Sequence, residues 1–322
     1  MRQQTTIPVF FTIDDGYTPW LAAALNSLAR NADASRDYTV VVLHEGLSAR
    51  NERRLAAIVE PYDHVHMQFV PMKGKIEGIY DRVGNRLRTD YFTMTIFFRL
   101  FIPAMFPQWD KGIYLDSDIV VPGDIAKLYD VELDGKLIGA CHDVSIVDDP
   151  ILVDYVGRAI GVGIENYVNS GVLLMDMKRL REARIDELFL MLFKTYAFQC
   201  VAPDQDYLNA MCFGRIHYLD ASWDAMPLIG KPEMEHPQLI HYNLFMKPWC
   251  YDGIPYERYF WDSIAGSGFE QEARAFKASY TDEQRARDSA TMQQLVSMAG
   301  DIMDSDGPSF ARVFNTGLEA RL

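Results

Sequence analysis

The chain has 322 residues, 49% of them hydrophobic and 24% charged, the proportions of a folded globular protein rather than a disordered or fibrous one. Its formal net charge of −14 repels nucleic acid and anionic bilayers, so an anionic ligand has to be held by local cations or by a metal ion. Length allows about two domains around a large core, and no repeat at solenoid spacing and no low-complexity block appears.

In chain order, strand-like and helical patterns alternate. Residues 8–13 read as a strand, 19–30 as a helix, 38–43 as a strand, 48–59 as a helix and 65–70 as a strand. This βαβ pattern predicts a mostly parallel sheet, whose ligands bind beyond the carboxyl ends of the strands. The first apolar run, 7–13, is short and ends in Asp14-Asp15, which is no signal peptide. The longest apolar stretch, 91–107, carries Arg99 at its centre and is too short to span a bilayer. Cys141, Cys200, Cys212 and Cys250 are widely spaced with no metal-finger spacing, and read as reduced, buried thiols. The expected location is the cytoplasm, either free or peripheral to the inner face of the membrane.

The run from Ile113 to Val121 places two carboxylates, Asp116 and Asp118, one residue apart where a buried strand reaches its polar end. On an extended chain residues i and i+2 point to one face, so the two can share a hard cation. Taken alone, the pair more often starts a turn finished by Pro122-Gly123, and context has to decide. Further on, 137–141 reads as a strand, 171–175 as a strand running into a helix from about Lys178, Pro203 as a helix start, and 239–242 as a late strand before Lys247-Pro248-Trp249. Gly266-Ser267-Gly268 looks like a hinge, after which Met292, Leu295, Val296 and Ala299 recur at helical spacing. From Phe269 to Leu322 there are nine acidic and six basic residues, so this tail is not a basic membrane-seeking helix; it is expected to pack on the body or on a second subunit, giving a homo-oligomer. The division expected is a catalytic domain over 1–265 and a helical extension over 266–322.

Six segments in order, TIDDGY, TIFFRLFIP, YLDSDIVV, NSGVLLMD, PDQDYLNA and HYNLFMKPW, together resemble glycosyltransferase family 8 across roughly residues 7–255. The resemblance implies an α/β fold of GT-A type, Rossmann-like with a mostly parallel central sheet. It also implies retention of anomeric configuration and a UDP-sugar donor, UDP-galactose or UDP-glucose. The acceptor implied is a glycan or glycolipid such as a bacterial lipopolysaccharide or other surface-glycan precursor.

By the same resemblance Asp116, Asp118 and His241 are the metal ligands. The expected ion is manganese, with magnesium as the alternative, because an imidazole beside two carboxylates shifts preference toward manganese. Arg99 and Lys247 match phosphate contacts, and Asp14 with Tyr17 matches the uracil end. Ser117 joins the donor set, Asp143 and Asn169 line the donor sugar, and Asp204 and Gln205 are the catalytic candidates. An amide is a poor nucleophile, which favours front-face attack over a covalent intermediate. Two departures from the pattern stand out: Gly16, where Asn is frequent, and Leu244, where the motif has glycine. Leucine there implies a shifted loop or a lost backbone contact. His64 and His66 read as an edge-strand surface pair. Two other readings compete: LDSDIV fits the nucleophile motif of haloacid dehalogenase-like phosphatases, with Gly300-Asp301 as their late acidic motif, and the two departures fit a degenerate nucleotide-sugar binder.

Overall fold

The computed structural model describes residues 6–72, 94–317 and 321–322. Residues 91–93 of the apolar stretch 91–107, and 318–320 of the expected helical tail, lie outside the described residues. Nine strands are defined among the described residues: β1 (Ile7–Ile13), β2 (Tyr38–His44), β3 (Val65–Pro71), β4 (Lys111–Leu115), β5 (Ile119–Val120), β6 (Ile138–Ala140), β7 (Val172–Asp176), β8 (Ile216–Tyr218) and β9 (Ile240–His241). The helices are α1 (Thr18–Asn31), α2 (Ala49–Val59), α3 (Phe98–Met105), α4 (Ile125–Tyr129), α5 (Pro150–Tyr155), α6 (Met177–Glu182), α7 (Ile185–Tyr196), α8 (Pro203–Met211), α9 (Glu257–Ile264), α10 (Glu270–Ser279), α11 (Asp282–Asp304) and α12 (Phe310–Asn315).

Seven strands form one sheet in the order β3-β2-β1-β4-β7-β6-β8. Every neighbouring pair is parallel except those of β7, which runs antiparallel to β4 and β6. The apolar residues of β1 are buried on both faces of the sheet, as helix-covered strands require. Phe10 joins the core that contains Tyr114, Leu173 and Phe189, while Val9 and Phe11 join the opposite core with Leu21 and Ile113. Of the expected edge-strand surface pair, His66 sits exposed on β3, whereas His64 precedes the strand and is half-buried with its Nε2 shielded from solvent.

The reversal of β7 matters for function. Its amino end, rather than its carboxyl end, arrives beside the carboxyl ends of β4 and β6, with Leu115 opposite Val172. Asn169, Ser170 and Gly171 are thereby delivered to the edge where β4 releases Asp116. The Asp116 N–H donates to the Gly171 carbonyl at 2.7 Å. A second, two-stranded ribbon pairs Ile119 with His241, antiparallel, and so lays His241 against the Asp116–Asp118 bend.

The tail packs on the body. Phe269 is fully buried and the Arg54 guanidinium lies 3.6 Å from its ring centroid. The expected hinge is a tied turn: Gly266 and Gly268 take positive φ, and the Ser267 hydroxyl donates to the Ile264 carbonyl and accepts from the Phe269 N–H. Thr281 and Gln284 form a reciprocal capping box that starts α11, which then crosses α5. Phe310 of α12 packs 4.1 Å from the Phe198 ring.

Candidate active site

Strand β4 ends at Leu115, and the next three residues bend before β5 begins. Asp116-Ser117-Asp118 is therefore a bend between two strands and not the start of a turn finished by Pro122-Gly123, because β5 intervenes and pairs with β9. Ser117 is buried, with its hydroxyl donating to the Thr12 carbonyl at 3.1 Å, which pins the bend to the end of β1. One ligand atom each from Asp116, Asp118 and His241 lies within 4.8 Å of the others, and these three form the metal-capable group found among the described residues.

The space between them fits an ion. A Cβ built on Gly171 would stand 2.3 Å from His241 Cε1 and 2.7 Å from Asp116 Oδ2, so glycine keeps this cradle open. The donors are hard carboxylate oxygens plus one imidazole nitrogen, the set that divalent oxygen-loving ions with some affinity for nitrogen accept. His241 Nδ1 lies 3.1 Å from Asp224 Oδ1, which leaves Nε2 facing the two aspartates, 3.4 Å from Asp118 Oδ1 and 3.8 Å from Asp116 Oδ2. Burial by itself lowers the His241 pKa, but its hydrogen bonds and charge pairing with Asp118 and Asp224 outweigh that and raise it to about 10. Asp224 comes from the short turn Ala221–Asp224, and its side chain is completely buried. A carboxylate behind a ligating imidazole fixes tautomer and ring orientation.

Lys247 also reaches the site, donating to Asp118 Oδ2 and to the Tyr242 carbonyl. Burial raises the Asp118 pKa, but Lys247 and His241 more than offset it and hold the carboxyl below its usual range. The loop carrying Lys247 is anchored by Trp249, whose ring stacks on Trp20 of α1 at 4.3 Å.

Arg99, expected from the family resemblance at a phosphate contact, is turned inward. Its Nη2 donates to Asp116 Oδ1 at 2.8 Å, its Nη1 to the Ser170 carbonyl at 2.6 Å and to Asp204 Oδ2 at 3.0 Å, and its Nε to the Ile96 carbonyl at 3.0 Å. The Tyr114 hydroxyl donates to the same Asp116 oxygen at 2.7 Å, and Arg99 lies 4.4 Å from that ring's centroid. Asp116 and Asp204 are thus cross-linked through one guanidinium. Desolvation pushes the Asp204 carboxyl up, with Arg99 opposing it.

The donor-sugar candidates converge. Gln205 donates through Nε2 to Asp143 Oδ2 at 2.8 Å and accepts at Oε1 from the Ser170 N–H at 3.0 Å, so its amide is held from both sides. Asn169 accepts from the Gly171 N–H at 2.8 Å and faces Asp143 at 3.3 Å. Behind them Asp206, fully buried, accepts from the Tyr155 and Tyr167 hydroxyls at 2.7 and 2.6 Å and from the Ala202 N–H at 3.1 Å. Burial pushes its pKa up to about 6 despite those bonds. At the other end, Asp14 accepts from the Tyr17 N–H at 3.0 Å, capping a single exposed turn, and the Tyr17 phenol sits within electrostatic reach of Asp116 and Asp118. A Cβ at Gly16 would stand 3.2 Å from Asp14 Oδ1, so glycine relieves crowding on that carboxylate.

A cavity of about 200 Å³ is lined by the metal ligands and by Asp143, Asn169 and Gln205, whereas Asp14, Tyr17, Arg99, Ser117, Asp204 and Lys247 do not line it. The pattern of Glycosyl transferase family 8 matches residues 8–253 of this sequence. The chain belongs to that family. General stress protein A of Bacillus subtilis (strain 168) is 24% identical over 268 residues, covering 77% of this family 8 chain and 89% of that protein. The lipopolysaccharide 1,2-glucosyltransferase of Escherichia coli (strain K12) is 28% identical over 176 residues, 50% of this chain and 51% of the relative. Among solved structures, the galactosyltransferase LgtC in complex with donor and acceptor sugar analogues superposes with a TM-score of 0.63 at 23% identity, over 87% of this chain and 99% of that one. The apo bifunctional glycosyltransferase WbbM gives 0.74 at 23% identity, over 87% and 53%. The fold is therefore GT-A, as expected, and the protein is a glycosyltransferase.

Within the family 8 frame, Leu244 does not move out of the conformation that glycine favours. It keeps φ at 50°, at a cost of roughly 1–2 kcal/mol for a residue with a Cβ. The phosphatase reading loses its second motif, because Gly300-Asp301 lies inside α11. The four cysteines are buried and free, with burial raising the Cys250 thiol to about 11 and that of Cys212 to about 12. No described helix is long and apolar enough to cross a membrane.

Proposed function

We propose that this chain transfers galactose or glucose from a UDP-sugar to a glycan acceptor, with retention of configuration. A surface-glycan precursor such as a lipopolysaccharide intermediate is the acceptor class that its lipopolysaccharide glucosyltransferase relative suggests. The observation that carries the reading is the convergence of Asp116, Asp118 and His241 in a cavity that Asp143, Asn169 and Gln205 also line. Those three ligands would hold manganese, or magnesium in its place. When bound, such an ion supplies Lewis-acid neutralisation of the charge that grows on the departing diphosphate.

The chain's own residues do the rest. Lys247 is a point charge for the diphosphate, stabilising charge that increases as the glycosidic bond breaks and so lowering the barrier rather than only tightening binding. Arg99 acts through the two aspartates it joins, holding Asp116 beside the ion site and Asp204 behind Ser170. Asp14 accepts from the uracil imide N–H, Tyr17 stacks on the base, and Ser117 shapes the bend beneath the diphosphate. Asp143 and Asn169 select hydroxyl orientation, because a buried polar group left unmatched is penalised. Gln205, tethered at both ends of its amide, supports an oxocarbenium-like sugar rather than attacking it, which favours front-face transfer. Catalysis belongs to residues 1–265 on this reading, with 266–322 as an extension.

The test is UDP release from UDP-galactose and UDP-glucose without acceptor. Slow, manganese-dependent release that Asp118→Asn abolishes is expected. Donor binding without release would mark a degenerate nucleotide-sugar binder, and neither binding nor release would refute the assignment.

A further inference from the structure

The tail lies beyond the residues 8–253 that match the family pattern, yet one of its helices grips the loop that carries Lys247. The Lys247 carbonyl accepts from the Cys250 N–H at 2.9 Å and from the Tyr251 N–H at 3.0 Å, so residues 247–251 form one tight turn whose ends move together. On one side of that turn the Trp249 ring stacks on Trp20, and Phe276 of α10 packs edge-on against Trp20 at 5.3 Å. At its far end the Tyr251 hydroxyl donates to Asp288 Oδ2 of α11 at 2.7 Å, and the Tyr280 hydroxyl donates to the same oxygen at 2.7 Å. Arg285, three positions before Asp288 and so on the same helix face, donates to the Cys250 carbonyl at 3.3 Å. The next positions on that face, Met292 and Leu295, line the active-site cavity itself. A single face of α11 therefore runs from the Lys247 turn to the cavity.

We infer that Asp288 is a positioning residue for Lys247, holding through Tyr251 the turn that presents the ammonium beside Asp118. The inference rests on the glycosyl-transfer reading above, in which Lys247 meets the diphosphate, and adds a residue of the tail to that machinery. A lysine carries its charge on a flexible four-carbon stem, so where the charge stands depends on where its backbone is held. Hydrogen bonds to a carboxylate are roughly twice as strong as those between neutral groups, and this carboxylate receives two of them on one oxygen. Position matters to the chemistry, because a displacement of about 1 Å can cost on the order of 100-fold in rate. Trp249 alone fixes the middle of the turn; Asp288 and Arg285 fix the end to which the Lys247 carbonyl is bonded.

Two readouts on the full chain test this. Hydrogen exchange needs no turnover: in D288A the Cys250 and Tyr251 amides should exchange about tenfold faster, the effect of losing one hydrogen bond to a charged group, while the amides of β4 and β7 are unchanged. Breakdown of UDP-galactose or UDP-glucose with manganese is the second. There kcat should fall about tenfold with KM within about threefold of the wild type, because a charge that acts mainly as the bond breaks affects rate more than binding. D288N keeps an oxygen that can accept from Tyr251 and should recover most of both losses. Y251F deletes only the hydroxyl and should reproduce D288A, which keeps the test intact if D288A folds poorly. Unaltered exchange in both D288A and Y251F, or faster exchange with an unaltered kcat, overturns the inference. The proposed transferase fails separately, when the wild-type chain neither binds UDP nor breaks down a donor, and exchange then still decides whether Asp288 holds the turn.

Discussion

Gly171→Ala isolates the metal cradle with one methyl group. Gly171 is not among the positive-φ glycines, so alanine fits its backbone and the effect comes from space alone. The new Cβ would meet His241 Cε1 at 2.3 Å and Asp116 Oδ2 at 2.7 Å, where ordinary contact starts near 3.4 Å. The imidazole therefore has to retreat by about 1 Å, several times the ±0.2 Å within which metal–ligand distances normally hold. Changes in the shell behind a ligand cost 10–100-fold in metal affinity. A displaced ligand should cost about 100-fold or more, roughly 2.7 kcal/mol. Overpacking alone destabilises by about 1–3 kcal/mol, which a protein of this size survives. Manganese titration by calorimetry, with circular dichroism to confirm the fold, should show a folded variant that binds manganese at least two orders of magnitude more weakly. A folded G171A that binds manganese as tightly as the parent would refute the cradle.

Asp224→Asn removes the carboxylate behind His241 and should weaken manganese binding 10–100-fold with little change in the UDP affinity at saturating metal; an unchanged manganese isotherm would remove Asp224 from the site. Asp206 is held at about 6 against an ordinary 3.8, so the native state binds its proton more tightly than the unfolded chain does. Its contribution to stability is full below about pH 4 and is lost as pH rises through 6, on the order of 3 kcal/mol in all. The difference in denaturant stability between wild type and D206N should carry that slope, and parallel pH profiles would contradict it. Ser170→Ala takes away the hydroxyl that Asp204 accepts from, together with one Arg99 contact; donor breakdown should slow about tenfold, roughly one hydrogen bond to a charged group. An unaltered rate would separate Asp204 from the chemistry.

Much of this arrangement could be read before any coordinates. The alternation of strands and helices and the Asp116–Asp118 pair are local signals, carried by adjacent residues. His241 was legible through the motif it opens. The direction of β7 was not, because an apolar run of five residues pairs equally well either way, and only its neighbours in the sheet decide. Asp224 had no signal: it stands seventeen positions before His241 in an unremarkable turn and gains its meaning from the β5–β9 ribbon. Asp206 stands in the first turn of the helix that Pro203 starts, where a carboxylate suits the helix dipole, and its tyrosine partners come from distant segments. Leu244 was visible as a departure, but sequence could not say that the backbone would keep glycine's conformation. Met292 and Leu295 were read correctly as helical, yet periodicity cannot distinguish a residue facing the core from one facing a cavity.

The central claim is that Asp116, Asp118 and His241 together hold the ion on which the nucleotide diphosphate depends. Calorimetric titration of UDP with and without manganese, on wild type and on D116N, D118N and H241N, tests it most directly. The account predicts tight UDP binding only with manganese, and its loss in each of the three variants. UDP binding that ignores manganese, or that survives all three substitutions, would contradict it.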